Sequence, residues 1–217
     1  GRTIFDEGET STSKLRARSI ARKYTSRPRL TSLANGPCSM FQRQALIDVG
    51  GFDPEWYHAE DMEVSLRLIQ TGGVIVHTPG AVVHHVAESS LRLFLFKRCR
   101  DARAHMRIRR RFGRDGVRKP NGYIHLHDFV GDAKDVVWLL PIAIFGLSLA
   151  IALLLWSPQE NILWWVGIST AGLWGMLYIS RWHQLLWSGA LWTGAAIGMV
   201  DALLGRHGHP RLLRRKK

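Results

Sequence analysis

Two stretches without a single charge, in a chain otherwise crowded with arginine, most constrain what this sequence can fold into. Residues 136–156 and 162–180 contain no Asp, Glu, Lys or Arg, and each approaches the roughly 20 apolar residues that a helix needs to cross a bilayer. The tight polar link Ser157-Pro158-Gln159-Glu160-Asn161 joins them, and Trp164, Trp165 and Tyr178 sit where interfacial anchors belong. After Arg181-Trp182-His183-Gln184 comes a third apolar segment, 185–205, rich in Gly and Ala and carrying Asp201. The formal charge of +13 over 217 residues is concentrated before Pro120 and in the tail 206–217. The bias of basic segments toward the cytoplasmic side predicts that both lie inside. Two crossings satisfy this, with 185–205 in the inner interface or dipping in and returning. Three crossings, the alternative, would put the basic tail outside.

Basic composition alone also suits nucleic acid, and the run from Arg92 to Lys119 is the segment that would bind it. The uneven charge favours a membrane surface instead, where Arg107, Arg109, Arg110 and Arg111 are each worth about 1 kcal/mol near anionic lipid. No nucleic-acid partner is expected. Cys38 and Cys99 are the only cysteines, far apart and without ligand spacing, so no disulfide framework is implied. The chain opens GRTIFDEGET, without an initiator Met, a charged leader or an apolar core. No signal peptide is expected there, and the chain reads as part of a longer one.

Ahead of the apolar runs, periodicity predicts an α/β unit over 1–122. A short exposed helix spans Lys14 to Lys23, and Asn35-Gly36-Pro37 is turn chemistry before a short strand at Ser39-Met40-Phe41. Ala45, Leu46 and Val49 share a helical face that Gly50-Gly51 stops. A second helix runs from Asp61 to Gln70, opened by carboxylates that suit its positive end, with Val64, Leu68 and Ile69 on the apolar side. Short buried strands are expected at 74–76 and 81–83 around Pro79-Gly80. A basic helix follows from Ser89 to about Phe112, anchored by Leu91, Phe94, Leu95 and Cys99. Residues 113–122 read as a loop, 123–135 as a juxtamembrane segment, 136–205 as a membrane domain and 206–217 as a basic tail.

The order of pieces between Asn35 and His85 is the chemical signal. Gly36-Pro37-Cys38 leads to Phe41-Gln42-Arg43-Gln44-Ala45-Leu46, then Val49-Gly50-Gly51-Phe52-Asp53, then Glu60-Asp61 with Leu66-Arg67-Leu68, and finally Pro79-Gly80-Ala81-Val82-Val83-His84-His85. This quarter of the chain resembles the C-terminal catalytic half of the family-2 inverting glycosyltransferases of the GT-A fold. Each piece is weak alone; order and spacing together carry the resemblance. It implies a partial GT-A-like α/β half, here followed by a basic helix and transmembrane helices. It also implies sugar transfer from a nucleotide-sugar donor, with inversion.

The resemblance names Asp61 as general base, the group that takes the acceptor proton, with Glu60 orienting the loop or touching acceptor hydroxyls. The same two acids could merely cap a helix. His85 is implied as a ligand for a divalent cation, Mg or Mn, that offsets charge on the leaving diphosphate. It is preferred to His84 because Val83 and His85 share a strand face; two polar residues at a strand end are the alternative. Asn35, Gly36 and Arg43 are candidates for lining the groove, and Trp56 and Tyr57 for stacking on a sugar or lipid, against plain turn chemistry, surface charge and loop cover. His125-x-His127-Asp128 and His207-x-His209 look like ligand sets, although solvated loops explain them as well. No Asp-x-Asp motif and no Gln-x-x-Arg-Trp signature occur. The first absence implies that the family's nucleotide-binding half lies elsewhere, leaving this chain inactive alone; the second argues against processive polymerisation. The anchoring implies a membrane-associated acceptor, a lipid-linked glycan or polyprenyl phosphate, with chemistry on the cytoplasmic face. The rival reading is a non-catalytic membrane-anchored interaction module.

Overall fold

A computed structural model describes residues 1–25, 27–54, 56–113, 117–118, 124–125, 133–156 and 161–206. The described residues are mixed α/β and mostly helical, with three small two-stranded sheets among them. The histidine sets at 125–128 and 207–209 fall outside the described residues, apart from the backbone of His125.

Strand β1 (Arg2–Asp6) pairs in parallel with β4 (Val82–Val86), in the register Thr3 to Val83 and Phe5 to His85. Between them run helix α1 (Ser11–Thr25), β2 (Leu30–Thr31), a 3₁₀ turn at Gly36–Cys38, α2 (Arg43–Asp48), α3 (Glu60–Gln70) and β3 (Ile75–Val76), which pairs with β2. Three expectations change here. The basic helix α1 is not simply exposed: Thr12, Ser13, Arg16, Ala17, Ser19 and Ile20 are buried, because small residues let it settle on β1. Residues 39–41 form no strand, and Met40 is almost wholly exposed. Neither short strand is buried as expected, since Val74 and Val76 at β3 and Val82 and Val86 of β4 are exposed, and β4 is longer than expected, running through both histidines.

The core gathers Met62, Leu66 and Ile69 of α3 with Leu33, Trp56, Ala104, Ile108 and Phe112. Full burial of such side chains contributes roughly 1.5–3 kcal/mol each. Helix α3 is tied down by a buried ion pair, Glu63 to Arg67, with both Nε–Oε1 and Nη2–Oε2 at 2.7 Å. Arg67 also donates to the carbonyls of Val49 and Gly51. That clamps the turn where Gly50 and Gly51 both have positive φ, a conformation glycine adopts without steric cost.

Helix α4 (Leu91–Phe112) is the hub. Ser90 caps it, its side chain accepting from Leu93 N–H, and Gly113 ends it. Beyond it, Val117–Arg118 (β5) pairs with Ile124–His125 (β6), so the expected loop contains strand pairing. A short helix α5 (Lys134–Val137) leads into α6 (Leu139–Trp156), whose mean hydropathy of 2.5 and length suit a membrane crossing. Helix α7 (Ile162–Leu203) runs through Arg181-Trp182-His183-Gln184 but is kinked: Arg181 leaves helical geometry and the parts Ile162–Met176 and Tyr178–Leu203 meet at 70°. The first part packs on α6 over Ala143, Gly146 and Ala150, small residues that let helices approach closely. The second part turns back onto α4. Gly194 and Gly198 face the backbone of Cys99 and Arg103 so closely that a Cβ at either would collide with a carbonyl. Arg103 pairs with buried Asp201 at 2.5 Å, and Phe94 meets Trp187 edge-on at 5.2 Å.

Candidate active site

Asp61 stands in the first turn of α3, where three acids, Glu60, Asp61 and Glu63, meet the positive end of the helix. Its carboxylate is held at both oxygens: Gly36 N–H donates to Oδ2 at 3.0 Å and Met62 N–H to Oδ1 at 2.8 Å. Ser65 fastens the same junction, donating to the Asp61 carbonyl at 2.5 Å and accepting from Ala34 N–H at 3.0 Å. Burial raises the Asp61 pKa above the ordinary 3.8 and the neighbouring Glu60 adds to this, against the lowering by the two backbone donors and His58. Desolvation disfavours the charged form, so the carboxylate is a stronger base than one in water.

The approach to Asp61 is strained. His58 and Ala59 both adopt φ of 62°, in the left-handed region, at a cost of about 1–2 kcal/mol each. Helix α4 grips all three residues before Ala59. The Arg107 and Arg111 guanidinium groups lie 5.8 and 5.1 Å from the Trp56 ring centre. Arg107 donates to the Tyr57 carbonyl at 2.5 Å. His58 Nε2 meets Asp101 Oδ1 at 2.5 Å, and Arg98 holds the other Asp101 oxygen at 2.8 Å. Burial alone would raise the Asp101 pKa; Arg98 and His58 overcome it and hold the carboxyl at about 2.

A cavity of about 570 Å³ opens at this loop. Asp61, Ala59, His58 and Asn35 form one side, Lys23, His105 and Arg109 contribute positive or polar groups, and Trp187, Leu191, Trp192 and Met199 of α7 make an apolar end. Asn35 is fixed by donating to Thr3 Oγ1 at 3.0 Å and Tyr24 Oη at 2.9 Å. The parity of the β1–β4 register puts Thr3, Phe5, Val83 and His85 on one sheet face. Thr3 and Phe5 line the cavity. His85 stacks on Phe5 with ring centres 4.8 Å apart, and its Nδ1 meets the Val86 carbonyl at 2.9 Å. His84 lies on the other face and pairs with Asp6 at 2.9 Å.

The structure therefore gathers Asp61, Gly36 and Asn35 at one wall, with His85 one aromatic ring away from it. Glu60 is exposed beside Asp61. Arg43 is exposed on α2, and Trp56 is packed into the core at 7% exposure. Tyr57 is half-buried next to His58. Sequence reasoning passed over His58, Asp101 and Arg98, and it placed Arg107 in a membrane-surface patch, whereas Arg107 is buried and donates to the Tyr57 carbonyl. Arg98 and Asp101, three apart on one helix, left a readable signal, as did Glu63 and Arg67, four apart on another.

The chain matches the sequence profile described as Glycosyl transferase family group 2 over residues 2–200. It belongs to that family. The transferase accordingly moves a sugar from a nucleotide-sugar donor to an acceptor, and its small sheets and helices agree with a partial GT-A-like domain. Neither the curated proteins nor the solved structures contain a match.

Proposed function

We propose that this transferase works with inversion on an acceptor held at a membrane surface, with Asp61 as general base. The observation that carries the reading is the cavity itself, which has the doubly held Asp61 carboxylate at one wall and a tryptophan-lined apolar end at the other. In this step an Asp61 oxygen takes the proton of the acceptor hydroxyl. The acceptor oxygen bonds to the anomeric carbon from the face opposite the diphosphate, and the bond from that carbon to the phosphate oxygen breaks. Two backbone donors keep the carboxylate aimed before the acceptor arrives, which lowers the reorganisation needed. Glu60 orients the loop, while Asn35 and Gly36 shape the wall.

The acceptor is read as a polyprenyl phosphate or lipid-linked glycan. Its apolar stem fits against Trp187, Leu191, Trp192 and Met199, and its phosphate fits near Lys23 and Arg109, which make no ion pair among the described residues. Helix α6 and the first part of α7 are read as crossing the bilayer. The part of α7 after the bend, lying on basic α4, is read as resting in the cytoplasmic interface, with the catalytic unit on that side.

Among the described residues no group of three His, Cys, Asp or Glu side chains could hold a metal ion. The described residues do not build a metal shell by themselves. His85 is proposed as a single ligand for Mg or Mn, on the support of its sheet face. The decisive experiment is Asp61→Asn in the full-length gene product, reconstituted in lipid vesicles and offered radiolabelled UDP- and GDP-hexoses. Transfer is expected to fall about 10²–10⁴-fold with folding intact; near-normal transfer would end the assignment and favour a non-catalytic anchor.

A further inference from the structure

We infer that His58 and Asp101 form a latch that positions the general base, holding Asp61 in register by pinning the left-handed turn that precedes α3. The inference rests on the reading of Asp61 as base. It starts from an energetic puzzle. Two consecutive residues with a Cβ, His58 and Ala59, both hold φ of 62° immediately before the acidic helix start. Neither is glycine, and Ala59 caps α3 without any side-chain hydrogen bond. Such a turn persists only where its surroundings hold it.

Polar groups that hold it come from α4, while Ala59 packs into the core beside Leu33 and Met62. Asp101 receives His58 at 2.5 Å while Arg98 fixes its other oxygen at 2.8 Å, so the acceptor of the latch is itself immobilised. Arg107 takes the Tyr57 carbonyl at 2.5 Å. On its opposite side α4 meets Gly194 and Gly198 at backbone contact, and Arg103 joins Asp201. The helix that carries the latch is thus seated on the last part of α7, and His58 ties the base to that support. His58, Asp101 and Asp61 line the same cavity, so the latch stands beside the acceptor space. A positioning residue acts through geometry, and a displacement of about 1 Å costs on the order of 100-fold in turnover.

The test uses His58→Asn and His58→Gln in the full-length gene product, in vesicles, with the UDP- or GDP-hexose that it turns over and with Asp61→Asn as control. Asparagine tolerates the left-handed turn but is too short to reach Asp101, whereas the glutamine amide nitrogen reaches the position of His58 Nε2. His58→Asn is expected to lower kcat about 10- to 100-fold with donor KM within about twofold, and His58→Gln to recover most of the loss. Hydrogen exchange of amides 57–63 should quicken in His58→Asn and stay near wild type in His58→Gln. An inert Asp61→Asn beside a fully active His58→Asn would overturn the latch, as would equal losses in both His58 variants. An active Asp61→Asn would instead remove the base, while unchanged exchange at 57–63 would remove the latch independently of activity.

Discussion

The two chemically marked parts of this site are built in opposite ways. The acidic end is over-determined: Asp61 is held at both oxygens, and the strained turn before it is gripped by α4. The histidine end is open. Among the described residues β4 pairs with β1 and otherwise touches the 3₁₀ turn, its histidines are exposed, and Asp6, which pairs with His84, is also on the surface. Fixed geometry is what the proposed role of Asp61 as general base calls for. The contrast teaches that adjacent pieces of one sequence motif can differ widely in how much of the fold is committed to them.

Breaking the rigid end should have the largest effect. Asp61→Asn is expected to lower transfer about 10²–10⁴-fold, and in the wild type the acid limb of kcat/KM should lie above the 3.8 of an ordinary aspartate, because burial raises this carboxyl. A limb at or below that value would contradict the desolvated base. Next comes the seat of α4. Gly194→Leu forces a side chain into the Cys99 carbonyl, and a loss of roughly 1–3 kcal/mol in thermal unfolding is expected.

Asp101→Asn sharpens the comparison through pH. The folded carboxyl is depressed from 3.8 to about 2, so its contribution, about 2 kcal/mol by linkage, is complete above the unfolded value and lost as pH falls through about 2. The stability gap between wild type and variant should therefore be full at pH 6 and shrink below pH 4; a gap independent of pH would break the assignment. At the open end, His85→Ala should raise the Mg or Mn needed for half-maximal transfer by roughly tenfold, and an unchanged titration would sink the ligand role. Smallest of all is the exposed pair. His84→Ala or Asp6→Ala should shift stability by less than about 0.5 kcal/mol, which denaturant unfolding can check.

Much of the element order was legible because hydrophobic period and glycine stops are local. Helices α2, α3 and α4 begin and end within two residues of the expected positions, since Gly50-Gly51, Gly72 and Gly113 punctuate them. The buried face of α1 was not legible, because arginine and serine there hide a packing surface that only β1 and Glu88 reveal, Arg16 reaching Glu88 at 3.7 Å. Nor was the expected strand at 39–41 formed; after the Pro37 turn Met40 is exposed and Phe41 packs edge-on against Phe52.

From the chain alone came the charge-free runs, the acidic helix start and the strand parity that separates His84 from His85. These depend on neighbours within a few positions, where covalent geometry sets the period. Tertiary structure alone decided the rest: the 70° bend that returns α7 to α4, the meeting of His58 with Asp101 across 43 positions, and the cavity that both residues line. Such contacts depend on where distant elements come to rest in space, and no local spacing encodes that.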